Sequence, residues 1–85
     1  MLFIFDKPQI VSFWMKDTSI PLSIAFITSN FTIIQIDDME PYDVFTIHRS
    51  IMPVKYALEV KKGWFRENNI KIGDKIEIIN KNSNP

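Results

Sequence analysis

Short apolar runs rich in isoleucine and phenylalanine, punctuated by proline, asparagine and charged pairs, constrain this chain more than any other feature. Leucine and alanine, the natural helix formers, are scarce. β-Branched and aromatic side chains lose rotamer freedom in a helix and pack well on a pleated surface, so the bias favours strands. The pattern agrees. Leu2–Phe5 reads as a strand ended by the turn Asp6-Lys7-Pro8, and Ile10–Met15 as a second strand. Leu22–Thr28 places Leu22, Ile24 and Phe26 on one face. Ser29-Asn30 then reads as a tight turn into Phe31–Ile36, which predicts a hairpin.

Beyond it, Asp37-Asp38-Met39-Glu40-Pro41-Tyr42-Asp43 reads as a polar loop, and Val44–Pro53 follows neither period. Tyr56–Val60 returns to period two, with Tyr56, Leu58 and Val60 opposite Ala57 and Glu59. The one predicted helix is Gly63–Asn69, anchored by Trp64 and Phe65. Gly73-Asp74 is a turn, Lys75–Ile79 a final strand and 80–85 a flexible polar tail. The expected fold class is mainly β (α+β): a single domain over 1–79, built as a small antiparallel curled sheet or partly open barrel with one short helix.

Composition excludes several functions. Eighty-five residues with 46% apolar side chains suffice for one domain, which buries only about 60% of its unfolded surface. Without cysteine there is no disulfide, thiolate nucleophile or sulfur-ligated zinc. Ten basic residues balance ten acidic ones, unlike a dedicated nucleic-acid binder. Residues 1–43 nevertheless carry a net charge of −4 and residues 44–85 of +4, which reads as attraction between two halves of one fold or, alternatively, as a bipolar surface facing a partner. Two glycines are too few for a phosphate-cradling loop. Met1–Phe5 has no basic residue before it and is stopped by Asp6, so it is not a secretory signal, and no apolar window reaches a membrane span. As it stands, the chain reads as cytoplasmic, with no nucleic-acid or membrane partner.

No catalytic motif is present. His48 is the only histidine, no serine sits in a nucleophile elbow, and no spacing of His, Asp and Glu matches a metal site. Asp37, Asp38, Glu40 and Asp43 lack the glycine and ligand rhythm of a calcium loop and read as solvated. The expectation is therefore no cofactor and no metal. The densest stretch is Phe13–Pro21, where a strand meets a loop. Phe13 and Trp14 must face opposite sides there, while Asp17 and Thr18 are suited to fixing the turn. Trp14, Lys16, Asp17 and Thr18 are accordingly the candidate rim of a ligand-binding cleft. Glu59, in a strand, joins them if its face is covered, because a buried carboxylate must then find a partner such as Lys16.

Leu2-Phe3-Ile4-Phe5-Asp6, Phe13–Thr18, Ile20-Pro21-Leu22 and Ala25-Phe26-Ile27 together resemble the domain-of-unknown-function 192 family of uncharacterised bacterial and archaeal proteins. Met39, Pro41, Tyr56–Val60, Gly63-Trp64-Phe65 and Ile70–Asp74 extend the likeness to about residue 79. The resemblance implies a compact, largely β fold and no established activity. Members typically read asparagine at Asp17 and aspartate at Ser23, and they carry an upstream segment ending in a glycine before Met1. By that likeness the chain starts inside the domain. Members are often exported or membrane-anchored.

Three functions follow as expectations. The leading one is a binding or accessory module for a small molecule or a protein segment at Trp14, Lys16, Asp17, Thr18 and Glu59. The alternatives are an enzyme using Lys16 with Asp17 or Glu59 as an acid–base pair, and a homodimer joined through edge strands.

Overall fold

A computed structural model describes residues 1–79. Six strands and one helical turn form two antiparallel sheets: β1 (Leu2–Gln9), β2 (Ser12–Trp14), β3 (Leu22–Ile27), β4 (Ile33–Met39), β5 (Ile47–Arg49), β6 (Val54–Lys61) and α1 (Trp64–Glu67). Four strands are ordered β1-β6-β3-β4, and β2 with β5 makes a separate ribbon. The fold is mainly β, as expected. The expected form is a curled sheet or a partly open barrel; the strands form antiparallel sheets that do not close into a barrel.

β3 is central, paired with β6 on one side and β4 on the other. Its unbroken Ile24-Ala25-Phe26-Ile27 run is wholly buried, because both faces of the sheet are covered. Leu22, Ile24 and Phe26 point to one face. There the ribbon supplies Val11, Phe13 and Met15, and Met39, Val54 and Ala57 complete the cluster. Phe13 meets Phe3 edge-on at 4.9 Å and Phe26 at 6.0 Å. Ala25 and Ile27 point to the other face, where Phe65 of α1 packs with Ile33, Ile36, Leu58, Ile70 and Ile76. Each fully buried Ile or Phe contributes about 1.5–3 kcal/mol. The molecule is thus three layers, ribbon, sheet and helix.

Several boundaries differ from the sequence reading. β1 runs through Asp6-Lys7-Pro8 instead of turning there, with its register shifted between Ile4 and Gln9. An edge strand tolerates proline and charge because its outer side needs no partner, and Lys55 Nζ also holds the Asp6 carbonyl at 2.8 Å. The hairpin exists, but its loop holds three residues between Thr28 and Thr32, whose backbones pair at 2.9 Å. Phe31 takes a left-handed φ of 66° there and stacks on Tyr56 at 5.3 Å. β4 reaches Met39, so Asp37 and Asp38 lie in a strand and not in a loop. The unassigned stretch 44–53 contains β5, and the helix is one turn, shorter than expected.

The expected strand Lys75–Ile79 is not one. Only Lys75 bridges, to Thr32, with Ile76 N–H donating to Phe31 at 2.9 Å. Gly73 N–H and the Asp74 carbonyl already occupy both backbone groups of Ile33, and this bent approach leaves no regular ladder to extend. The expected tail at 80–85 lies outside the described residues.

Candidate functional site

The predicted corner sits at the end of the ribbon. Because Phe13 faces the core and Met15 is buried, Trp14 is turned outward, about half exposed, across from Ile47 of β5. Lys16 Nζ lies 5.6 Å from the Trp14 ring centroid, a cation–π contact at an open site. Thr18 N–H donates to the Met15 carbonyl at 3.2 Å and closes a turn in which Asp17 has a φ of 63°. That left-handed position suits asparagine, aspartate or glycine, and this chain places an aspartate there. The Thr18 carbonyl accepts from Tyr42 N–H at 2.9 Å, so the turn is tied to the β4–β5 loop.

Glu59 is placed on the covered face: it pairs with Ile24, which points towards the ribbon. Burial pushes its carboxyl above the usual range, partly offset by the nearby amino terminus. Among the described residues no ion pair joins Glu59 or Asp17 to Lys16. Trp14 at the end of β2 is thus followed by Lys16, Asp17 and Thr18 in the adjoining turn, and Glu59 of β6 makes no ion pair with Lys16 among the described residues.

Two polar arrangements escaped the sequence reading. The first lies under the ribbon. His48 Nδ1 is 3.3 Å from Asp37 Oδ2, which also accepts from Gln35 Nε2 at 3.2 Å. Gln35 further donates to the Arg49 carbonyl at 3.0 Å and accepts from Ile51 N–H at 2.9 Å. These groups satisfy one another and clamp β5 to β4. The second is a cleft on the opposite face of the sheet, of about 420 Å³, between the β3–β4 ladder and α1. Ile36, Phe65, Ile70 and Ile72 supply its apolar wall, and Ser23, Asp38, Arg66 and Lys71 its polar groups.

Cross-strand register makes the polar side of that cleft. Ser23 lies opposite Asp38 in the β3–β4 ladder, and its buried hydroxyl donates to Asp38 Oδ1 at 2.7 Å. The same hydroxyl accepts from Gly63 N–H at 3.3 Å, where the chain leaves β6 with a φ of 89° to start α1. Where the family resemblance leads one to expect a carboxylate at 23, this chain brings one from the neighbouring strand. Around the rim, Lys62 pairs with Glu40 at 2.6 Å, which raises the Lys62 pKa, and Lys71 lies 3.5 Å from Asp74. Arg66 makes no ion pair among the described residues. Ser23 was the one available signal, a hydroxyl inside an otherwise apolar strand. Asp38, read as part of a polar loop, Arg66, within the predicted helix, and Lys71 gave none.

Among the described residues, an open antiparallel sheet carrying a ribbon on one face and a cleft beside a single helical turn on the other makes a small mixed β architecture. The chain belongs to the DUF192 family, described as "Uncharacterized ACR", whose profile matches residues 1–78. It is similar to the crystal structure of a proposed transcription regulator from Sinorhizobium meliloti 1021, with a TM-score of 0.85 and 37% identity, over 91% of this chain and 60% of that one. It is likewise similar to a protein of unknown function from Novosphingobium aromaticivorans DSM 12444, with a TM-score of 0.86 and 34% identity, over 92% of this chain and 56% of that one. The chain thus spans less than two thirds of either structure. No curated protein matches it. Among the described residues no helix is long and apolar enough to cross a membrane, and no three His, Asp or Glu side chains gather as a metal site would need.

Proposed function

We propose that this protein is a small-molecule binding module whose ligand sits in the cleft between the β3–β4 ladder and α1. One observation carries the reading: a 420 Å³ concavity with an apolar wall that is also lined by Asp38, whose carboxylate holds the Ser23 hydroxyl, and by Arg66, which makes no ion pair among the described residues. Binding sites have this composition, mostly apolar with a few placed polar groups. The Trp14–Lys16 turn, on the far side of the sheet, is then a separate surface and serves the fold by tying the ribbon to the β4–β5 loop. A role in transcription, as in the description of the S. meliloti protein, gains little here. The chain is neutral, and its one described helix, four residues long, is too short to read a major groove.

A thermal-shift screen of metabolites tests the reading. A ligand present at about 100 times its Kd stabilises the fold by about 2.7 kcal/mol, a plain shift for a domain of this size. The shift should vanish in Ile72→Trp, which fills the cleft from its exposed rim. Hits that stabilise this variant equally well, or the absence of any hit, would remove the cleft as a binding site.

A further inference from the structure

We infer that the ligand of this cleft is a free apolar α-amino acid. This rests on the cleft being the binding site and adds the chemistry it selects. Asp38 and Arg66 line the same concavity with opposite charges, yet form no ion pair with each other. The two are therefore separated by more than contact, and each has capacity to spare. Asp38 uses Oδ1 for the Ser23 hydroxyl, while its second oxygen makes no hydrogen bond among the described residues. The guanidinium of Arg66 offers a planar fork of donors that matches a carboxylate.

The other cations at the rim have carboxylate neighbours of their own among the described residues, Lys62 with Glu40 at 2.6 Å and the exposed Lys71 with Asp74 at 3.5 Å, and Lys62 also lies within electrostatic reach of Asp38. A ligand that satisfies what remains must carry a cation for Asp38 and an anion for Arg66 on a short frame. It must also have an apolar body for Ile36, Phe65, Ile70 and Ile72. A zwitterionic amino acid with a branched or aromatic side chain meets all three conditions and fits within 420 Å³. A fatty carboxylate would give Asp38 no cation, and an amine would give Arg66 no anion; either forgoes one of the two charge pairings that a zwitterion makes.

The test uses the whole chain and four probes: L-leucine, N-acetyl-L-leucine, L-leucinamide and 4-methylpentanoate, titrated by calorimetry and by NMR shifts at Phe65 and Ile70. Leucine should bind, and each analogue lacking one charge should bind at least tenfold more weakly. Arg66→Gln should erase the difference between leucine and leucinamide, and Asp38→Asn that between leucine and its acetyl derivative, while the remote Lys7→Gln binds as wild type. Equal binding of leucine and 4-methylpentanoate overturns the inference and leaves the cleft a ligand site. Silence of leucine in a protein whose Phe65 responds to other metabolites does the same. Silence at Phe65 towards every compound overturns the cleft itself.

Discussion

Glu59 is the residue whose placement most affects stability. Its position on β6 puts it on the face with Ile24, where burial favours the protonated carboxyl. A folded-state pKa above the ordinary 4.5 means that the associated stability is complete below that value and is lost as pH rises through the raised one. At neutral pH the ionised group is a liability. Glu59→Gln should therefore melt higher than wild type at pH 7, with the advantage gone below about pH 4. A variant that melts lower at pH 7 would mean the carboxylate has a partner it needs. Asp43 shows the opposite case: its carboxylate accepts hydrogen bonds from Thr46 and from Phe45 N–H, which hold its pKa below the usual range and shape the exposed β4–β5 loop.

Among the elements, the short ribbon depends most on side chains from elsewhere. Three paired residues cannot hold a two-stranded sheet in water. Phe13 and Met15 anchor it to the sheet by burial, and Gln35 of β4 imitates a backbone strand by bonding both the Arg49 carbonyl and Ile51 N–H. Gln35→Ala hands those two exposed groups to water and should cost about 0.5–1.5 kcal/mol. Faster amide exchange at Ile51, with Ala25 and Ala57 unchanged, would show that the loss is local to β5. Uniform acceleration across the sheet would contradict the clamp. On the other face α1 is one turn with no stability of its own, and Phe65 holds it through burial against Ala25, Ile27 and Ile33.

For the whole molecule, the consequence of three layers sharing one strand is cooperativity. β3 presents Ile24 and Phe26 to the ribbon and Ala25 and Ile27 to α1, so neither outer layer can leave without uncovering it. The two tryptophans report the two sides, Trp14 on the ribbon and Trp64 on α1. Two single-tryptophan variants, Trp14→Phe and Trp64→Phe, should show coincident urea transitions. A ribbon transition at lower urea would make it a separately unfolding unit. The opposite charges of the two halves meet inside this one unit where Lys62 holds Glu40.

Strand periodicity was legible along the chain because it is local. Alternation of Ile, Phe and Val against polar residues marks β3, most of β4 and most of β6, and the opposition of Phe13 and Trp14 follows from the pleat alone. Charges and proline were misread wherever a neighbour made them acceptable, as at Asp6–Pro8 on an open edge and at Asp37 beside His48. The final apolar alternation at 75–79 lacked a free ladder to join. The corner at Trp14–Thr18 could be picked out from its residues, since a turn is a sequence-local object. The cleft could not, because Ser23, Asp38 and Arg66 become neighbours only through β-ladder register and the turn at Gly63. Residue chemistry decides which segments extend and which faces seek cover; the pairing of distant strands decides which charges end up facing each other, since that depends on contacts no short stretch of chain contains.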